Sequence, residues 1–193
     1  TPAVLRLDLN VDNVQAEIFY KNTTQSQVEL TFSAQDFSEL EETGRIRFLS
    51  EKDAKNYRYD LTSWITFEKQ SITLAPGEQQ ALKVFIDKDE LTAGGHYATI
   101  QAELKQVAGT AGVPVKAILS SLLFVRAGIG NEREELRVQS VQPVRTLLDF
   151  PDTFLLRLQN QGNVELIPFV AVEIQDMFGI IIANGIVNEG SFI

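Results

Sequence analysis

Three features of the sequence predict an all-β chain in which two sandwich modules follow one another. Apolar and polar residues alternate at period 2 in several runs of seven to nine residues. Clusters of glycine, proline and asparagine punctuate those runs. A strand–turn–strand pattern near the start of the chain returns near its end.

The elements follow in order. Residues 14–20 (VQAEIFY) place Val14, Ala16, Ile18 and Tyr20 on one face, as a half-buried strand requires. Asn22-Thr23-Thr24 then reads as a turn, because an asparagine side chain bonds nearby backbone. Residues 27–34 (QVELTFSA) align Val28, Leu30, Phe32 and Ala34. The period breaks at residues 38–59. This charged stretch is expected to be a solvated insertion near 38–60 that crosses between sheets, with one helical turn near 51–56. In Ala75-Pro76-Gly77-Glu78, proline fixes φ and glycine permits the positive φ of a type II turn. Residues 80–86 (QALKVFI) align Gln80, Leu82, Val84 and Ile86. After Gly94-Gly95, residues 96–104 (HYATIQAEL) set Ala98, Ile100, Ala102 and Leu104 against Tyr97, Thr99, Gln101 and Glu103. A further turn is expected at residues 109–112 (GTAG).

The repeat pairs IFYKNTTQSQVELTF and AQDF with LLRLQNQGNVELIPF and IQDMFG. Each copy has an asparagine at the turn (Asn22, Asn160), then Val-Glu-Leu, then Gln-Asp. Residues 125–136 (VRAGIGNEREEL) form a linker of glycines followed by charge. The expected domains are 1–127 and 128–193. A sandwich of this class needs about seven strands and about 100 residues. The second module is therefore expected to be truncated, with the natural chain continuing past Ile193.

Composition narrows the function classes. Hydrophobic residues make up 44% of the chain, enough for a packed core. A net charge of −9 repels phosphate backbones, which argues against nucleic acid as a partner. The absence of cysteine removes disulfides, thiolate metal sites and thiol nucleophiles together. The first residues show no basic segment followed by an apolar run, so any export signal has been removed. The most apolar segment, residues 117–125, is too short to span a bilayer and is flanked by Lys116 and Arg126. Any membrane anchor would lie outside these residues.

Reactive constellations are sparse. His96 is the only histidine and lacks the partners of a metal site or triad, so it reads as a strand-entry residue. Asp87, Asp89 and Glu90 could lend oxygens to a weak calcium site, but the spaced acidic loop such sites need is missing; a solvated turn is the simpler reading. Asp149 and Asp152 around Pro151 read as a polar hairpin tip. GIGNER (residues 128–133) is half of a dinucleotide fingerprint without its strand and helix. Asn22-Thr23-Thr24 fits the N-glycosylation acceptor pattern. Trp64, the sole tryptophan, reads as a core or rim anchor, its alternative being a sugar platform. Trp64, Asp87 and Asp89 are thus the candidate ligand contacts. No catalytic, metal or cofactor-binding residue is assigned, and no cofactor is expected.

Residues 61–98 carry a resemblance. A Ser-Trp-Ile step, an apolar strand, Leu-x-Pro-Gly-Glu, a further strand and Gly-Gly-x-Tyr are similar to the immunoglobulin-like modules of bacterial cell-surface proteins. More distantly they resemble the N-terminal domains of periplasmic pilus chaperones and the peptidoglycan-binding region of WxL-interacting surface proteins. The resemblance implies tandem immunoglobulin-like β-sandwiches, with Tyr97 at the tyrosine-corner position. It transfers no catalytic residue. Neither an anchoring basic pair nor a strand of exposed alternating large residues before the linker is identifiable, which departs from the chaperones. The resemblance implies a non-enzymatic structural or adhesive module of the cell envelope, extracytoplasmic, with a cell-wall polymer or envelope protein as partner. Two alternatives are a periplasmic assembly chaperone acting by β-strand addition and a glycan-binding accessory module around Trp64.

Overall fold

The computed structural model describes residues 4–9, 15–42, 45–55, 57–89, 91–106, 117–128, 130–144 and 153–187. The expectations placed on Val14, Asn56, Glu90, residues 109–112, Lys116, Ile129, Asp149, Pro151, Asp152 and residues 191–193 lie outside them. The chain divides into two compact units, Thr1–Asn131 and Glu132–Ile193.

The first unit contains β1 (Val4–Asp8), β2 (Gln15–Lys21), β3 (Val28–Leu40), β4 (Arg45–Phe48), helix α1 (Glu51–Ala54), β5 (Ile65–Phe67), β6 (Ser71–Leu74), β7 (Gln79–Ile86), β8 (Gly94–Gln106) and β9 (Ala117–Ala127). A single 3-10 turn, Thr62–Trp64, precedes β5. The larger sheet runs β1-β9-β8-β3-β4, with β6 also paired to β3. The smaller sheet runs β2-β7-β5. β3 is long enough to hold β6 along Val28 to Thr31 and β4 along Phe37 to Leu40. The strand pairs are antiparallel except β1, which lies parallel to β9.

The alternation written in the sequence becomes the core. In β2, Ala16, Ile18 and Tyr20 are buried and their neighbours exposed. Leu82, Val84 and Ile86 from β7 join Val28, Leu30 and Phe32 from β3, Ala98, Ile100 and Ala102 from β8, and Leu123 and Val125 from β9 in one cluster. Because that cluster draws on both sheets, the sheets face each other as a β-sandwich. Tyr20 and Phe32 tie them directly, with ring centroids 5.3 Å apart. The turn at Pro76 is type II: Gly77 has φ +79°, and Glu78 N donates to Ala75 O at 3.0 Å.

The stretch expected to be a solvated insertion is more structured than its charge suggests. Residues 38–40 extend β3, and β4 folds back on them. Ser50 caps α1, its Oγ accepting from Asp53 N at 3.3 Å. Asp36 then clamps the far end, its Oδ1 accepting from Leu61 N and Thr62 N at 2.9 Å each. The aromatic residues of the stretch land on the outer face of the larger sheet. Tyr57 stacks edge-on to Tyr59, Tyr59 meets Tyr97, and Tyr97 meets Phe37 and Phe124. Gly95 leaves room for this cluster: any β-carbon there would collide with the ring and hydroxyl of Tyr97.

The second unit contains β10 (Leu136–Pro143) paired with β11 (Phe154–Asn160), and β12 (Val170–Gln175) paired with β13 (Ile181–Val187). Most apolar side chains of these two ladders are exposed, among them Val141, Leu155 and Ile182. Val164 and Glu165 are buried, but the Val-Glu-Leu of this copy runs outside any strand.

Candidate functional site

Among the described residues, strand β9 is bonded on one side along its whole length and on the other side along only part. β8 pairs with it from Ala117 to Ala127. β1 pairs with it only from Leu122 to Arg126. Residues 117–121 therefore present one strand edge without a partner strand among the described residues. Ile118 and Leu119 sit on this stretch, each close to half exposed and pointing to opposite faces of the sheet. Where β1 does cover β9, Arg6 lies 5.5 Å from the centre of the Phe124 ring.

This strand stands immediately before the linker, where the sequence alone shows no strand of exposed alternating large residues. The reason is visible in the pattern. AILSSLLF is apolar on both alternating faces at once, so period 2 gives no signal, and the segment was legible only as too short for a membrane. Among the described residues, no helix is long and apolar enough to cross a bilayer.

A second feature is a hollow of about 530 Å³ at the other end of β8. Lys55, Tyr57, Arg58, Asp60, Trp64, Thr92, Ala93 and His96 line it. His96 is buried there, Nδ1 lying 2.8 Å from Asp60 O and Nε2 2.8 Å from Thr92 O. Burial holds the Asp60 carboxyl above its ordinary range; the nearby Asp36 carboxylate adds to this, and His96 works against it.

The candidate contacts are not gathered into one site. Trp64 is half-buried and lines the hollow. Its carbonyl accepts from Asp87 N at 2.9 Å, so the two are backbone neighbours across β5 and β7. The Asp87 side chain faces solvent, its Oδ1 accepting from Asp89 N at 3.3 Å as a local turn. Neither Asp87 nor Asp89 lines the hollow. Among the described residues, no group of three or more His, Asp or Glu side chains could hold a metal ion. Lys55, Tyr57, Arg58 and Asp60 went unnoticed in the sequence because they belong to a charged stretch with no periodicity.

No protein-family model matches this chain, and no curated protein matches it in sequence. Solved structures do match in fold. The class 5 fimbriae chaperone CfaA superposes with a TM-score of 0.61 at 10% identity, covering 100% of this chain and 79% of that one. A chaperone–tip adhesin structure from work on CFA/I fimbriae biogenesis gives 0.54 at 10% identity, covering 100% and 79%. The E. coli chaperone DraB gives 0.50 at 8% identity, covering 96% and 94%. At these identities the likeness shows the fold, which is the immunoglobulin-like β-sandwich that the resemblance of residues 61–98 implies.

Proposed function

We propose that this chain is a non-catalytic assembly chaperone of the cell envelope, working outside the cytoplasm, that holds an extended segment of a partner protein as an added strand. The edge that residues 117–121 of β9 leave without a partner strand among the described residues carries this reading. Strand edges with unpaired N–H and C=O groups are templates for another chain. Ile118 and Leu119 give an incoming strand an apolar residue to pack against on each face. The fold neighbours support the same reading, since they include a fimbrial chaperone and a chaperone–tip adhesin complex. A structural or adhesive envelope module shares the sandwich and the compartment, but the exposed edge favours a protein strand over a wall polymer.

Co-expression in the periplasm with the secreted proteins encoded beside its gene tests the reading. A stable complex is expected, and Ile118→Asp with Leu119→Asp should abolish it. Both side chains are close to half exposed, and urea unfolding of the double variant checks that it keeps the wild-type fold. A complex that survives both substitutions would contradict the proposal.

A further inference from the structure

We infer that the hollow beside Trp64 binds a sugar residue carrying a carboxylate. Its volume, about 530 Å³, falls in the range of small-ligand sites. Trp64 and Tyr57 are among the lining residues, and aromatic rings of this kind can stack on a pyranose ring. Lys55 and Arg58 stand in the same lining and form no salt bridge among the described residues, in a chain whose net charge is −9. Two cations lining one hollow of an acidic protein favour an anion, and a guanidinium matches a carboxylate through two parallel hydrogen bonds; the Arg58 guanidinium also lies 5.5 Å from the centre of the Tyr59 ring.

The remaining lining residues narrow the anion further. Asp60 offers acceptor oxygens and Thr92 a hydroxyl, which suit the hydroxyls of a sugar. A doubly charged phosphate would face the Asp60 carboxylate at a cost, whereas a uronate places one charge on the cations and turns hydroxyls to Asp60. His96 sits between the walls, its ring nitrogens 2.8 Å from the backbone carbonyls of Asp60 and Thr92, and one ring N–H can donate to either.

The site is separate from the β9 edge. His96 pairs with Val125, and Glu103 pairs with Ile118. Seven residues of strand separate these pairs, roughly 23 Å. Sugar binding therefore stands or falls independently of strand addition.

Trp64 is the only tryptophan, so its fluorescence reports on the site. The full chain is titrated with trimers of galacturonate, glucuronate and mannuronate, with their methyl esters, and with a tripeptide ending in phenylalanine. At least one uronate trimer should give a saturable change. Its ester should bind about tenfold more weakly or worse, having lost the charge-assisted bonds. Arg58→Gln and Lys55→Gln should each weaken uronate binding comparably, with unchanged melting temperature. No saturable change with any uronate, equal affinity for the ester, or indifference to both substitutions would overturn the inference. So would tighter binding of the tripeptide, which would reassign the hollow to a peptide carboxylate.

Discussion

The Tyr20 ring lies in the core where period 2 places it, yet its hydroxyl finds no hydrogen-bond partner among the described residues. Desolvation pushes its pKa from 10.0 up to about 12. Removing a buried, unsatisfied hydroxyl while keeping the ring should not destabilise the fold. Tyr20→Phe is expected to raise stability by up to about 1 kcal/mol in urea unfolding at neutral pH. The raised pKa fixes the sign of the pH dependence. The wild type loses stability as pH climbs from 10.0 toward about 12, because the unfolded tyrosine ionises first. The advantage of the phenylalanine variant should therefore widen across that window. Asp60 follows the same logic at the acid end. Its pKa is raised, so its contribution is fully present below the ordinary value of 3.8 and is lost as pH rises through the folded pKa. Asp60→Asn should melt higher than wild type at neutral pH, and the gain should vanish below 3.8. A gain of equal size at every pH would contradict this cause. Neither effect was legible in the sequence. The strand pattern gives the face a residue occupies, not whether its polar atom meets a partner.

At the scale of elements, the internal repeat reappears as one turn built twice. Asn22 Oδ1 accepts from Thr24 N at 2.9 Å, and its amide donates to Ser26 O at 2.8 Å. Asn160 Oδ1 accepts from Gly162 N at 2.9 Å, and its amide donates to Val164 O at 2.7 Å. The copies differ at the first asparagine, whose Oδ1 also accepts from Thr24 Oγ1 at 2.8 Å, where the second copy has Gly162. Asn22 also donates to Leu74 O at 3.0 Å, reaching β6 across the turn. Asn22 is 3% exposed and its amide is engaged twice, which removes it as a glycosylation acceptor despite the matching triplet. Asn22→Ala should cost about 1 to 3 kcal/mol in thermal or urea unfolding, because it strands a buried carbonyl of β6. Asn160→Ala, whose bonds stay within the turn, should cost less. Equal costs would mean that the Leu74 and Thr24 hydroxyl bonds together contribute nothing. The strands and this turn were readable because their signals are local in sequence. The aromatic cluster of Phe37, Tyr59, Tyr97 and Phe124 was not, because only the pairing of β3, β8 and β9 brings those residues together.

For the whole molecule, the two units differ in how much apolar surface they bury. The first closes a sandwich around Ile18, Leu82, Ile100 and Leu123, all fully buried. The second exposes most of the apolar residues of β10 to β13, and Met177 and Phe178 at the β12–β13 turn are 88% and 80% exposed. Two-stranded ladders without a covering layer are marginal in water. In this 193-residue chain, amide hydrogens of β12 and β13 should exchange much faster than those of β2, β7 and β8. Comparable protection in both units would show that the second is covered. The sandwich itself was legible from alternation and turns. The proposed edge was not, because it depends on how β9 pairs with β1 and β8, a tertiary fact that no single strand's own sequence contains.

Hydrogen exchange across β9, in the free chain and in its complex with a co-expressed partner, tests strand addition most directly. Slowed exchange confined to residues 117–121, with residues 122–126 unchanged beneath β1, is the predicted result. A bound partner that leaves residues 117–121 exchanging as in the free chain would contradict the account.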